Sequence, residues 1–202
     1  MSSDSISVEK IPNPASRVSG GDDLLARIAV DLYQIGSMIL GEGEDTIGLI
    51  ERAVVTTDVS SATTRGEARH NSRLSLAAGA IDILSQRNPQ LLSAPESDSG
   101  PASCIEDDEL DAAGVSHAEL EEMITGSDSQ RLRTWLEGLS PQLRIVFVLR
   151  AVAGLSSAEV GGLLAEHGGL TAEGWTPDAV RGTFRQALCS LASQLLHASN
   201  VR

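Results

Sequence analysis

Residues 139–167 read LSPQLRIVFVLRAVAGLSSAEVGGLLAEH, and residues 176–195 read TPDAVRGTFRQALCSLASQL. Ser140-Pro141 sets a capping hydroxyl before a proline at the first helical position, where its missing N–H costs nothing. The helix that follows runs to Ala153 and buries Leu143, Val146, Phe147 and Leu149. Gly154-Leu155 forms a turn. Ser156 and Glu159 have capping-box spacing, hydroxyl and carboxylate each satisfying an orphan backbone N–H, which predicts a short helix through Ala165. Thr176-Pro177 opens a last helix with Val180, Phe184, Ala187, Leu191 and Leu195 on one stripe. Gly161 is a small residue where two helices are expected to cross closely.

Working toward the N-terminus, Leu132, Trp135, Leu136 and Leu139 mark one more helix of this block, which spans 129–202. A first block spans 21–88. There Leu25, Ile28, Leu32, Ile35 and Ile39 follow 3-4 spacing, and Gly41-Glu42-Gly43 ends the helix. Glu44 and Asp45 favour a new helix N-terminus, with Ile47, Ile50 and Val54 on one face. After a polar loop at 57–66, a third helix turns Leu74, Ala77, Ile81 and Leu84 inward and stops at Asn88-Pro89. Residues 1–20 read as a disordered tail. Residues 89–128 read as an acidic flexible linker, with a short helix at 116–124 capped by Ser116 and Glu119. The expected fold is therefore all-α: two small helical domains joined by an acidic linker, the C-terminal one a helix-turn-helix.

Charge is distributed unevenly. The chain of 202 residues carries a net charge of −13. Residues 91–129 hold eleven acidic and no basic side chains, whereas 130–202 hold five acidic and seven basic ones. The overall acidity thus belongs mostly to the linker, and a mildly basic C-terminal block is compatible with DNA. Aromatic residues make up 2% of the chain, so the cores rely on Leu, Ile, Val and Ala. No apolar run suits a membrane span or a secretory signal, which points to the cytoplasm without membrane insertion. Cys104 and Cys189 are far apart and lack metal spacing. They read as a linker thiol and a packed helix thiol in a reducing compartment. The histidines, His70, His117, His167 and His197, show no metal pattern. Residues Glu106–Asp111 lack the glycine and terminal glutamate of a calcium loop. No phosphate-binding glycine loop, nucleophile elbow or triad occurs. Neither enzymatic activity nor a cofactor is expected.

The string Leu139, Pro141, Arg144, Phe147, Leu149, Arg150, Gly154, Leu155, Ser156, Glu159, Val160, Val180, Arg181, Ala187 and Leu191 resembles the C-terminal domain of extracytoplasmic-function (ECF) sigma factors. LYQIGSMILGEGEDTIGLIERAVV and RLSLAAGAIDILSQR resemble that family's N-terminal domain, less closely. The resemblance covers about 21–88 and 129–197. It implies a protein that binds core RNA polymerase and directs it to promoter DNA, with an anti-sigma factor as a further partner. The DNA-facing residues it implies are Thr176, Asp178, Arg181 and Arg185, with Arg144 and Arg150 beside them, since arginine suits guanine edges and phosphates. The polymerase-facing ones are Glu44, Asp45 and Glu51.

The sequence also departs from that pattern. Gly48 stands where the family has Asp, and Arg52 where it has Glu. Residues 57–75 contain no Phe, Tyr or Trp to stack on melted bases, leaving Arg65, Arg69 and Arg73 to hold phosphates. The ten residues EHGGLTAEGW replace a turn of three or four, and Trp175 is expected to fold them back onto the core. Two other readings stand beside the sigma factor, the first of them favoured by these departures. One is a degenerate sigma-fold regulator or interaction protein that has lost promoter melting. The other is a stand-alone repressor.

Overall fold

The computed structural model describes residues 15–58, 60, 63–95 and 129–199, and these are all-helical. The expected helix at 116–124, the tail up to residue 14, and Cys104 lie outside the described residues. Helix α1 spans Ala15–Leu40, so it begins inside the stretch expected to be tail. Helix α2 spans Glu44–Val55 and α3 spans Arg65–Arg87. Gly41, at φ 86°, makes the corner between α1 and α2, and the Thr46 hydroxyl donates back to its carbonyl at 2.7 Å. Thr64 and Glu67 form a reciprocal capping box at the start of α3.

The buried face of α2 differs from expectation. Thr46, Leu49, Ile50 and Ala53 point inward, while Ile47 is exposed. An apolar residue lies on either side of the true stripe, so 3-4 spacing alone admits two faces. Packing against α3 selects one of them. Leu49 sits over Gly79, where an added Cβ would collide with Leu49 Cδ1.

Asn88 caps a 3₁₀ turn at Pro89–Leu92, and Leu92 is completely buried. Leu91 and Leu92 thus pack on the core from within the stretch expected to be linker. Helix α4 spans Ser129–Gly138 and α5 spans Pro141–Phe147. A π-helical turn at Val148–Val152 extends α5, with the Ala153 N–H donating to the Val148 carbonyl at 2.9 Å. Gly154, at φ 67°, turns the chain into α6, Ser157–His167, whose capping box is made by Ser156 and Glu159. A 3₁₀ turn at Leu170–Ala172 leads to α7, Pro177–Ser199.

One apolar cluster draws on both blocks: Ile28, Leu32, Leu76 and Ile81 from the first, Phe147, Val160, Leu164 and Phe184 from the second. The blocks expected as two small domains therefore share a core among the described residues. Polar contacts line the seam. His70 Nε2 lies 2.8 Å from Glu159 Oε1, and His167 Nδ1 lies 3.1 Å from Asp82 Oδ1, both between α3 and α6. The 166–175 segment closes the seam at the other end. The Trp175 indole N–H donates to the Leu92 carbonyl at 2.8 Å, and the Thr171 hydroxyl donates to the Pro89 carbonyl at 2.6 Å.

Candidate functional site

Helix α7 starts at Thr176, whose hydroxyl accepts from the Ala179 N–H at 3.1 Å and so caps the helix. Its N-terminus crosses α6 at Gly161, where an added Cβ would lie 3.2 Å from the Thr176 carbonyl carbon. Val180, Phe184 and Ala187 anchor α7 in the core. That anchoring turns Asp178, Arg181, Gly182, Arg185 and Gln186 toward the periphery, exposed or half-buried. Asp178 and Arg181 pair at 2.5 Å, and the Asp178 side chain is 84% exposed. Asp178, Arg181 and Arg185 thus lie along one side of α7, with Thr176 capping its start.

Arg144 and Arg150, expected beside them, are held within the protein. Arg144 Nη2 donates to the Glu137 carbonyl at 3.0 Å, which terminates α4. Arg150 Nη1 donates to the Leu155 carbonyl at 2.6 Å, and its guanidinium lies 5.3 Å from the Phe184 ring centroid. That second contact is a cation–π geometry. Both side chains brace the elements that carry α7. Phe147 continues the brace, 4.9 Å from Trp135 in an edge-to-face contact.

Arg69 and Arg73 were expected to hold phosphates. Instead Arg73 binds Asp31 with two hydrogen bonds, at 2.7 and 2.8 Å, and Arg69 lies 4.0 Å from the same carboxylate. Asp31 was missed by sequence reading because it sits on α1, far from either arginine along the chain. Its one visible signal is an acidic residue beside the apolar stripe at Leu32.

Of the polymerase-facing residues, Glu44 and Glu51 are exposed, while Asp45 pairs with Arg87 at 2.5 Å. Glu51 lines a groove of about 810 Å³ between α1, α2 and α4, together with the exposed Val30, Tyr33 and Ile47. Arg133 and Glu42 bridge α4 to the α1–α2 corner there at 3.0 Å.

Cys189, expected as a packed thiol, is disulfide-bonded. Sequence spacing cannot show such a pairing, because it depends on how close the fold brings two Cβ atoms. Among the described residues no group of three or more His, Cys, Asp or Glu side chains could hold a metal ion. Nor is any described helix long and apolar enough to cross a membrane. No family model, curated protein or solved structure matches this chain.

Proposed function

We propose that this chain is a divergent ECF-type sigma factor that binds core RNA polymerase and positions it on promoter DNA. The observation that carries this reading is the crossing of α6 and α7 at Gly161 and Thr176, with Thr176 capping α7 and Asp178, Arg181 and Arg185 along one side of it. A close-packed helix pair with a turn suits a helix-turn-helix, whose second helix enters the major groove by its N-terminal residues. In this reading 129–202 is the DNA-facing domain and 21–88 the polymerase-facing one. The groove beside Glu51, with Val30, Tyr33 and Ile47 exposed along it, is the surface offered to polymerase. The mechanism is recognition and positioning in the cytoplasm, without covalent chemistry.

Arg181 and Arg185 supply at most two phosphate contacts, which gives a salt slope of about −2. DNA binding by this surface alone is therefore weak, and a polymerase tether supplies the occupancy. The test is transcription from the chain's own upstream region with purified core polymerase. Failure to bind core enzyme at micromolar protein overturns the reading.

A second reading is favoured by the engagement of Arg69 and Arg73 with Asp31. It is a sigma-fold regulator that binds polymerase and no longer melts promoters. Pre-melted promoter DNA separates the two. Activity on that template alone indicates impaired melting, whereas inactivity on both templates with core binding retained indicates the regulator.

A further inference from the structure

Among the described residues, the large apolar side chains left exposed are Val30, Tyr33, Ile47, Val55 and Leu170. The first three line one groove, the cavity of about 810 Å³ between α1, α2 and α4. Apolar side chains clustered in this way mark a binding surface, whereas scattered ones need no explanation. The volume falls within the roughly 300–1,000 Å³ of small-molecule sites, which favour the boundary between structural units. This groove lies at such a boundary: α1 and α2 belong to the first block and α4 to the second.

Charge selects the occupant. Two arginines line the groove, and both are engaged. Arg133 is neutralised by Glu42 at 3.0 Å. Arg144 turns Nη2 to the Glu137 and Leu139 carbonyls, and its Nε is buried out of a ligand's reach. Glu51 and Glu137 also line the groove, are exposed, and have no ion-pair partner among the described residues. Glu51 stands one turn beyond Ile47 on α2, and Tyr33 one turn beyond Val30 on α1, so each pair shares a helix face. Below them Ile50 and Leu136 form a buried apolar floor. An aromatic ring and unpaired carboxylates over such a floor suit a cation with an apolar body. The chain's net charge of −13 attracts cations and repels anions. The Arg133–Glu42 bridge crosses from α4 to the α1–α2 corner, so it obstructs a long partner helix and leaves room for a compact ligand.

We propose that this groove binds a small organic cation, its charge held by Glu51 and Glu137 and its apolar body packed on Val30, Tyr33 and Ile47. The site stands on the groove alone and needs neither DNA nor polymerase. Because both blocks wall it, a bound cation also stabilises their joined state by mass action.

The test titrates the full chain with three probes by calorimetry. Tetraphenylphosphonium and tetraphenylborate are apolar ions of nearly equal shape and opposite sign, and tetraethylammonium is a cation without aromatic surface. Tetraphenylphosphonium should bind with one-to-one stoichiometry and a Kd on the order of tens of micromolar. The other two should each bind at least about tenfold more weakly. Glu51→Gln/Glu137→Gln should lose about tenfold in affinity for tetraphenylphosphonium and keep the parental Tm, since both side chains are exposed. Tyr33→Leu should lose about threefold. Tetraphenylphosphonium should raise the Tm of the parent more than that of the double variant at equal concentration. Equal affinity for the two tetraphenyl ions overturns the proposal. So does an affinity unchanged in the double variant, which would trace binding to the overall charge of the chain. Saturable binding of neither ion overturns it as well and leaves the groove to a protein surface. None of these results depends on core-enzyme binding, so the polymerase reading stands or falls by its own test.

Discussion

Arg73 holds Asp31 through two parallel hydrogen bonds, Nε to Oδ2 at 2.8 Å and Nη2 to Oδ1 at 2.7 Å. Its Nη1 donates to the Ala153 carbonyl at 3.0 Å. One guanidinium therefore joins α1, α3 and the end of the π-helical turn. Planar fork geometry suits this arrangement, and a lysine ammonium cannot reproduce it.

Removing one partner strands the other. Asp31 is 3% exposed, so Arg73→Ala should cost about 3–5 kcal/mol, moderated by Arg69 nearby. The double variant Asp31→Leu/Arg73→Met should be markedly more stable than Arg73→Ala, because no charge is left buried. Urea unfolding midpoints compare the three proteins. An Arg73→Ala variant with the parental midpoint would show that the pair is not needed.

Trp175 ties the 166–175 segment to the first block. Trp175→Phe keeps most of the ring but leaves the Leu92 carbonyl without its donor, which should cost about 1–3 kcal/mol. Trp175→Ala also opens a cavity and should cost about 3–5 kcal/mol. Thermal unfolding with Trp135 as the fluorescent reporter reads both. An alanine variant no less stable than the phenylalanine one would contradict the burial described.

The arginines should separate by phenotype. Arg181→Ala should weaken duplex binding and reduce the salt slope by about 1, with stability nearly unchanged. Arg150→Ala removes the bond to Leu155 and the contact with Phe184, so it should lower stability first. At a temperature where Arg150→Ala is fully folded, its salt slope should match the parent. A slope reduced as much as by Arg181→Ala would reassign Arg150 to the DNA surface.

Acid should weaken the start of α6. Burial raises the Glu159 pKa, but the Ser156 hydroxyl, the Ser156 backbone N–H and His70 together outweigh it and hold the carboxyl below its ordinary 4.5. The folded value lies under the unfolded one. Glu159 thus contributes stability above about pH 4.5, and this is lost as pH falls through the depressed folded value. Ser156→Ala should cost about 1 kcal/mol at neutral pH. The gap between parent and variant should narrow on acidification, as read from denaturant midpoints across the acid range. A gap that widens toward low pH would have the wrong sign for this coupling.

Local signals were legible in the sequence. Thr64/Glu67 was passed over, but Ser156/Glu159, Ser140-Pro141 and Gly154 announced their caps and turn, because those depend on neighbours a few positions apart. The stripe of α1 was legible for the same reason. The seam was not. His70 with Glu159, Asp82 with His167, and Arg73 with Asp31 join residues whose proximity only tertiary packing creates. Each looks like an ordinary surface charge in a one-dimensional reading. The same limit explains Arg144 and Arg150: their positions suit a DNA-facing helix pair, yet backbone carbonyls within reach claim their donors. Asp178, Arg181 and Arg185 were legible as neighbours because one helix carries all three, with Thr176 as its cap.

The core shared by the two blocks has a consequence for a severed chain. Cleavage within 96–128 would produce two half-molecules whose apolar faces, Leu76 and Ile81 on one side and Val160 and Leu164 on the other, still fit each other. Under reducing conditions, with the Cys189 disulfide opened, such halves should co-purify as a noncovalent heterodimer whose melting temperature rises with concentration, as mass action requires. Peptide-bond continuity there would then set the effective concentration of one half for the other, and the fold itself would not depend on it.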